Sequence, residues 1–243
     1  MLKAIPLAFF LCAIAGSIDA LGYLLFGGVF VGNMTGNTVL FADSILRGNH
    51  AQIALRGGVV AAFFAGILLV RILLRPPARP LLVRLRLCVL GAEFAVLLLL
   101  SLLPAGRGDG SFLLLVLAGI LGAQNGAFQQ IGHIRLNTAF ITGDLEKLGE
   151  SVTERRHSWL RAAVFFATWV AYAFGALAGA IGAQEWRMHG FSIAAVLVVA
   201  AAISIRFAPP PPSSVDSPDP PDWVGSRLRI PREKLGSDFG NEN

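Results

Sequence analysis

Charge is scarce in this sequence. Only 14% of its 243 residues are Asp, Glu, Lys or Arg, and 55% are hydrophobic, whereas soluble domains average about 25% charged and about 45–50% apolar residues. The net charge is +5, but the basic residues flank apolar runs and no aromatic-interleaved basic face is present, so nucleic acid is not an expected partner. The composition indicates a protein that contacts the lipid bilayer.

Cysteine is equally scarce, and the common enzyme motifs are absent. Cys12 and Cys88 lie inside apolar runs, where packing is expected rather than a disulfide or a metal site. The sequence has no Gly-x-Ser-x-Gly elbow, His-Glu-x-x-His helix, phosphate-binding loop or CxxC pair. We therefore expect no enzyme activity, no metal and no cofactor. A membrane enzyme built on Asp19 and Glu93 stays open, because pairing in space cannot be read from the sequence.

Long apolar runs, by contrast, are plentiful. A helix needs roughly 20 residues to cross a bilayer, and six runs approach that length, at residues 4–26, 52–74, 82–103, 112–131, 160–182 and 191–207. We predict an all-α polytopic membrane domain over residues 1–208, with half-repeats at about residues 4–104 and 112–208. The proline-rich, polar residues 209–243 predict a disordered cytoplasmic tail.

The basic residues predict the orientation of these helices. Arginine and lysine concentrate at residues 71–86 and 135–161, which the positive-inside rule assigns to the cytoplasm. The remaining connections contain only Arg47 and Arg56, then Arg107, then Arg187, and are expected outside. This alternation predicts six crossings of a bacterial inner membrane with both termini cytoplasmic. The main alternative is a further crossing by residues 29–46, which would move residues 71–86 outside unless the first helix inverted.

Two polar Thr-Gly segments interrupt the apolar runs. Glycine permits a sharp turn, and Thr, Asn and Asp are typical caps of helix N-termini, so helices are expected behind the segments at residues 38–46 and 145–155. Three crossings in each half would invert the second segment relative to the first, as in transporters whose broken helices meet near the midplane. An ordinary capped loop is the alternative for each segment. The residues concerned are Asn33, Thr35, Gly36 and Asn37 in the first segment and Thr142, Gly143 and Asp144 in the second.

Polar residues inside the predicted spans are further candidates, because charge is costly in hydrocarbon and usually faces the bundle interior. Asp19 precedes the first Thr-Gly segment, and Glu93 lies midway along the third span. Asn125 and Gln129 are spaced to share one helix face, although hydrogen bonds between helices would explain these two equally well. We predict that these four residues and the two Thr-Gly segments line a solute path.

The same residues carry a resemblance to a known family. Gly16-Ser17-Ile18-Asp19-Ala20, residues 28–38 and Phe140-Ile141-Thr142-Gly143-Asp144 resemble the YoaK-like family of bacterial multipass membrane proteins, over about residues 6–207. Asp19 and the four residues of the first segment match the first signature, and Thr142 and Gly143 match the second. The family has a domain-of-unknown-function label and about six predicted helices, so the resemblance implies a fold and a location but no substrate.

The functional expectation is therefore general. A transporter or channel for a small polar solute or ion is favoured by the intramembrane polar residues, and Asp19 would bind a cation or carry a proton. A non-transporting scaffold, or a subunit of a membrane assembly, is the alternative, because small-residue helices suit it equally well. A homo-oligomer is left open.

Overall fold

Apolar runs become helices in lipid, because a backbone without water must satisfy its own hydrogen bonds. A computed structural model describes residues 5–74, 79–103, 110–131, 134–135, 141–153 and 159–208. Its helices are α1 (Ile5–Leu25), α2 (Met34–Leu46), α3 (His50–Leu73), α4 (Arg79–Leu102), α5 (Ser111–Ala127), α6 (Ile141–Thr153), α7 (Trp159–Glu185) and α8 (Phe191–Ser204). Short 3₁₀ turns, Arg187–Gly190 and Ile205–Phe207, flank α8. Strands β1 (Gln130–Ile131) and β2 (Ile134–Arg135) pair antiparallel. The predicted tail, residues 209–243, lies outside the described residues.

Five of the helical segments are long and apolar enough to cross a membrane: α1, α3, residues 81–102 of α4, α7, and α8 together with its flanking turns. Their ends fall within four residues of the predicted boundaries. The chain is thus a polytopic membrane protein, and its described residues are helical apart from the two short strands and the connecting turns. The sixth apolar helix, α5, has 17 residues, which is fewer than the roughly 20 residues of a typical span.

The prediction that residues 112–131 form one helix is wrong at its C-terminal end. Helix α5 ends at Ala127, and Gln130 already belongs to β1. The reason lies in α4, where the buried Arg86 donates from Nε to the Ala127 carbonyl oxygen at 3.0 Å and from Nη2 to the Gln130 carbonyl oxygen at 2.7 Å. A cation at a helix C-terminus satisfies carbonyls that have no partner within the helix. Asn125 therefore lies in α5 and Gln129 lies beyond it, so the predicted helical stripe does not form.

The two Thr-Gly segments also differ from the prediction. Helices were expected to begin at residues 38 and 145, but α2 begins at Met34 and α6 at Ile141. Each Thr-Gly segment is therefore the first turn of a helix rather than a loop before it. Both helices have 13 residues, or about 20 Å at 1.5 Å per residue, against a hydrocarbon core of about 30 Å. Neither is long enough to cross the membrane by itself.

Helix α1 lies in the interior of the bundle. Within its most apolar window 72% of the residues are buried, compared with 28–44% for the other four spans. Its chief neighbour is α7, and α3 packs in the same way on α5. Helix α8 packs on α1 and α4, α4 also packs on α5, α2 rests on α3, and α6 rests on α7. The short helices are therefore each supported by one long helix.

Candidate functional site

The chain reverses direction after α1 through two glycines. Gly27 and Gly28 have φ angles of 69° and 81°, a left-handed conformation that glycine adopts without steric cost. The Gly28 amide donates to the Tyr23 carbonyl oxygen at 2.9 Å, and the Phe30 ring stacks on the Tyr23 ring with their centroids 4.8 Å apart. The reversal returns residues 30–32, the lead-in to α2, to the side of α1.

Asp19 binds this lead-in. One carboxylate oxygen accepts hydrogen bonds from the backbone amides of Val31 at 2.7 Å and Gly32 at 2.6 Å. The other accepts from the Tyr172 hydroxyl of α7 at 2.7 Å. Asp19 is 2% exposed, so these hydrogen bonds take the place of water around a buried carboxylate. The carboxylate joins α1, α7 and the entrance of α2.

Asn37 binds the same lead-in from the other end. Its side-chain oxygen accepts from the Phe30 amide at 2.9 Å, and its nitrogen donates to the Phe30 carbonyl oxygen at 2.5 Å. The side chain is fully buried. The helix cap is Asn33, whose side-chain oxygen accepts from the Gly36 amide at 3.1 Å, so Thr35 and Asn37, although of residue types that cap helices, do not cap α2. Thr35 is exposed and Gly36 is half-buried.

A buried arginine that the sequence analysis assigned to an external connection holds α2 against α3. Arg56 lies in α3 and is 8% exposed. Its Nη1 donates to the Leu40 carbonyl oxygen and to the Ser44 hydroxyl, both at 2.5 Å, and its Nη2 donates to the Gly27 carbonyl oxygen at 3.2 Å. The only signal of this role in the sequence was an arginine placed close to the start of an apolar run.

In the second Thr-Gly segment, Asp144 is the buried residue. It is fully buried, Gly143 is half-buried and Thr142 is exposed. One Asp144 oxygen lies 3.3 Å from Lys147 Nζ within α6, and the other accepts from the Thr168 hydroxyl of α7 at 3.4 Å. The carboxylate therefore joins α6 to its supporting helix.

The remaining candidates lie on α4, on α5 and just after α5. Glu93 is fully buried beside Gln124, and in the amide orientation that pairs them the Gln124 nitrogen lies 2.6 and 2.8 Å from the two carboxylate oxygens. The Asn125 side-chain oxygen is buried and has no hydrogen-bond partner in the described part of the chain. Gln129, by contrast, accepts from Arg71 of α3. Gln124, Arg86 and Tyr172 were not among the predicted site residues.

The structure thus gathers only part of the predicted set. Asp19 and Asn37 meet at the lead-in to α2, whereas Asp144 and Glu93 have partners on other helices. Among the residues that the structure describes, no three His, Cys, Asp or Glu side chains are grouped as metal ligands. Two apolar grooves, of about 500 Å³ between α4 and α8 and about 460 Å³ between α3 and α5, contain none of the predicted path residues.

Residues 7–204 match the protein family DUF1275, described as a protein of unknown function. The chain belongs to the DUF1275 family. This confirms the YoaK-like resemblance. The UPF0700 transmembrane protein YoaK of Bacillus subtilis strain 168 is 28% identical over 149 residues, which cover 60% of this chain and 65% of that protein. The UPF0700 transmembrane protein RA0705 of Rhizobium meliloti strain 1021 is 29% identical over 204 residues, which cover 79% of this chain and 83% of that protein.

The match to the Bacillus protein thus spans just under two thirds of its length. No solved structure matches the chain. The DUF1275 relatives agree with the helices in identifying a transmembrane protein, and their names give no activity or substrate.

Proposed function

We propose that this DUF1275 protein is a transporter or channel for a small polar solute or ion rather than an enzyme. In this proposal α5 is the sixth crossing, the two halves of the chain form an inverted three-plus-three repeat, and both termini face the cytoplasm of a bacterial inner membrane. The arginine placement supports this orientation.

The observation that carries the proposal is the pair of short helices. Each has 13 residues, each rests on one long helix, and each buries the residue that follows its Thr-Gly pair, Asn37 or Asp144. Helices that stop within a membrane leave backbone groups that only protein or a water-filled path can satisfy. Transporters place such helix ends at their solute sites.

The packing order supports the repeat. Suppose that α1, α2, α3 and α4 correspond in order to α5, α6, α7 and α8. The contact between α1 and α7 then corresponds to the contact between α5 and α3. The contact of α2 with α3 becomes that of α6 with α7, and that of α1 with α8 becomes that of α5 with α4. The contact of α4 with α8 maps onto itself. Each of these pairs is present, as expected when one arrangement is used twice.

Close backbone approaches repeat as well. A Cβ atom on Gly16 of α1 would clash with the Tyr172 carbonyl oxygen of α7, and one on Gly122 of α5 would clash with the Phe63 carbonyl oxygen of α3. The same holds in the opposite direction. A Cβ atom on Gly175 of α7 would clash with the Ala13 carbonyl oxygen of α1, and one on Gly66 of α3 would clash with the Gly119 carbonyl oxygen of α5. Small residues allow helices to approach closely in membranes, and here they do so at corresponding positions of both proposed halves.

Cysteine labelling tests the inverted arrangement. In a background with Cys12→Ala and Cys88→Ala, we would place single cysteines at Arg47, after α2, and at Glu150 on α6, both of which are exposed. A membrane-impermeant maleimide should label position 47 in intact spheroplasts and position 150 only after permeabilisation. Labelling of both positions from one side would contradict the inverted repeat.

Flux measurements test transport. Proteoliposomes would be challenged with gradients of H⁺, Na⁺ and K⁺, and ligand-dependent thermal shifts would be screened with amino acids, sugars and inorganic anions. We expect the wild type to show ion flux or a ligand-dependent thermal shift. The substitutions Asp19→Asn and Asn37→Ala should abolish it. Asp43→Asn is the matched control, because Asp43 lies on α2 in an exposed ion pair with Arg47. Equal flux in wild type and Asp19→Asn would contradict the assigned path.

A scaffold is the second candidate, and one observation favours it. Both oxygens of Asp19 and both polar atoms of the Asn37 side chain already bind the protein's own groups, as structural residues would. The flux and thermal-shift measurements distinguish a scaffold from a transporter or channel. A scaffold should show no flux and no thermal shift with any of these solutes while remaining folded.

A further inference from the structure

Glu93, one of the predicted path residues, is a buried acid whose partner Gln124 lies on α5 rather than on either short helix. It lies near the middle of the 24-residue helix α4 and is fully buried. An ionised carboxylate at such a depth is costly unless a cation or several hydrogen bonds accompany it. The groups around Glu93 therefore indicate which form of the acid the bundle accommodates.

The helices that face α4 offer no counter-charge. Neither α5 nor α8 contains an ionisable residue. The third neighbour, the 3₁₀ turn Arg187–Gly190, places His189 Nδ1 2.6 Å from the Ser101 carbonyl oxygen, about two helical turns beyond Glu93. The exposed Arg187 of the same turn and Arg206, which lines the α4–α8 groove, are the other charged groups of these elements.

On α4 itself the nearest described cations are Arg86, about 10 Å along the helix axis, and the exposed Arg84. Arg86 already binds two carbonyl oxygens at the end of α5. Within the described residues, the recorded partner of the Glu93 carboxyl is thus the neutral side chain of Gln124.

That side chain suits either protonation state. With its nitrogen toward Glu93 it donates to an ionised carboxylate at 2.6 and 2.8 Å. Turned by half a rotation, it presents its carbonyl oxygen at the same distances, where a protonated carboxyl group would donate to it. An amide carries both a donor and an acceptor, so the two side chains keep a hydrogen bond whether the proton is present or absent.

We propose that Glu93 and Gln124 form a proton-binding site between α4 and α5, in which the amide turns over as the Glu93 carboxyl gains or loses its proton. The ligand is a proton, because within the described residues Glu93 does not belong to any group of three His, Cys, Asp or Glu side chains that could hold a metal ion. The inference does not rest on the proposed transport function, because the experiment described next detects the proton itself.

Infrared difference spectroscopy of the full-length protein in lipid nanodiscs tests this site. The wild type minus Glu93→Gln spectrum should contain one carboxylic-acid carbonyl band at neutral pH, and the band should be replaced by carboxylate bands as the pH is raised. Gln124→Met should shift the acid band to higher frequency because its hydrogen bond is lost. Glu150→Gln, on the exposed face of α6, should leave the acid band unchanged.

Glu93→Gln should fold, because a carboxamide has nearly the shape of a protonated carboxyl group. Size-exclusion profiles of every variant would verify this. Absence of the acid band at every pH, a band that does not respond to pH, or a band unaffected by Gln124→Met would overturn the proposal. Loss of the acid band on addition of NaCl at constant pH would also overturn the proposal, because the site would then bind a sodium ion.

Discussion

The short helices α2 and α6 have the same length and the same Thr-Gly start, but they are held by different interactions. In α2 the buried residue, Asn37, pairs with the backbone of Phe30. In α6 the buried residue, Asp144, pairs with Lys147 and Thr168. The buried residue of α2 is thus a neutral amide bound to the backbone, and that of α6 is a carboxylate bound to side chains.

The cations that contact the two short helices also differ in position. Arg56 reaches from α3 to the backbone and Ser44 of α2, whereas Lys147 lies on α6 itself, over the Phe165 ring of α7 at 5.5 Å. The Lys147 side chain is 31% exposed, and partly exposed ion pairs contribute little to stability. The comparison teaches that similar backbone placement permits one short helix bound mainly through backbone groups and one bound through side chains.

The largest effect should come from Asp19, which fixes the lead-in to α2. Asp19→Ala removes the acceptor of three donors, the Val31 and Gly32 amides and the Tyr172 hydroxyl. A buried unsatisfied donor costs about 1–3 kcal/mol, so the unfolding midpoint in detergent, followed by tryptophan fluorescence, should fall furthest in this variant. Tyr172→Phe removes one donor and should lower it much less. Equal midpoints for Asp19→Ala and wild type would show that α2 is not fixed in this way.

Exchanging the two buried residues should have unequal effects. Asn37→Asp places a carboxylate against the Phe30 carbonyl oxygen and should cost about 3 kcal/mol or more. Asp144→Asn keeps an acceptor for Thr168 and removes a partly exposed ion pair, so it should cost about 1 kcal/mol. The same thermal unfolding measurement compares them. A larger loss for Asp144→Asn would show that the side-chain contacts of Asp144 stabilise the fold more than the backbone contacts of Asn37 do.

The sequence predicted the membrane class and five of the six proposed spans because lipid imposes a simple requirement of about 20 apolar residues. It also predicted that Asp19 and the first Thr-Gly segment belong together, since a carboxylate is rarely buried without nearby partners. It misplaced the start of α2, because Met34 and Thr35 have no strong preference against helix and the true cap, Asn33, is one of several possible caps in the segment.

The buried arginines show what sequence patterns cannot reveal. Arg56 and Arg86 were interpreted as loop residues that report orientation, yet both are buried and bind backbone carbonyls of neighbouring helices. Their partners are 16 and 41 residues away along the chain. Such pairs arise from helix packing, which hydropathy does not encode. The Glu93–Gln124 pair is hidden for the same reason.

The smallest effect on stability should come from the two threonines. Thr35 and Thr142 are both exposed, and exposed substitutions usually change stability by about 0.5 kcal/mol or less. Thr35→Ala and Thr142→Ala should therefore leave the unfolding midpoint almost unchanged. A loss of solute flux in either variant would then report contact with the solute rather than damage to the fold. If both variants transport as well as the wild type, the Thr-Gly turns serve only to begin their helices and the solute path lies elsewhere in the bundle.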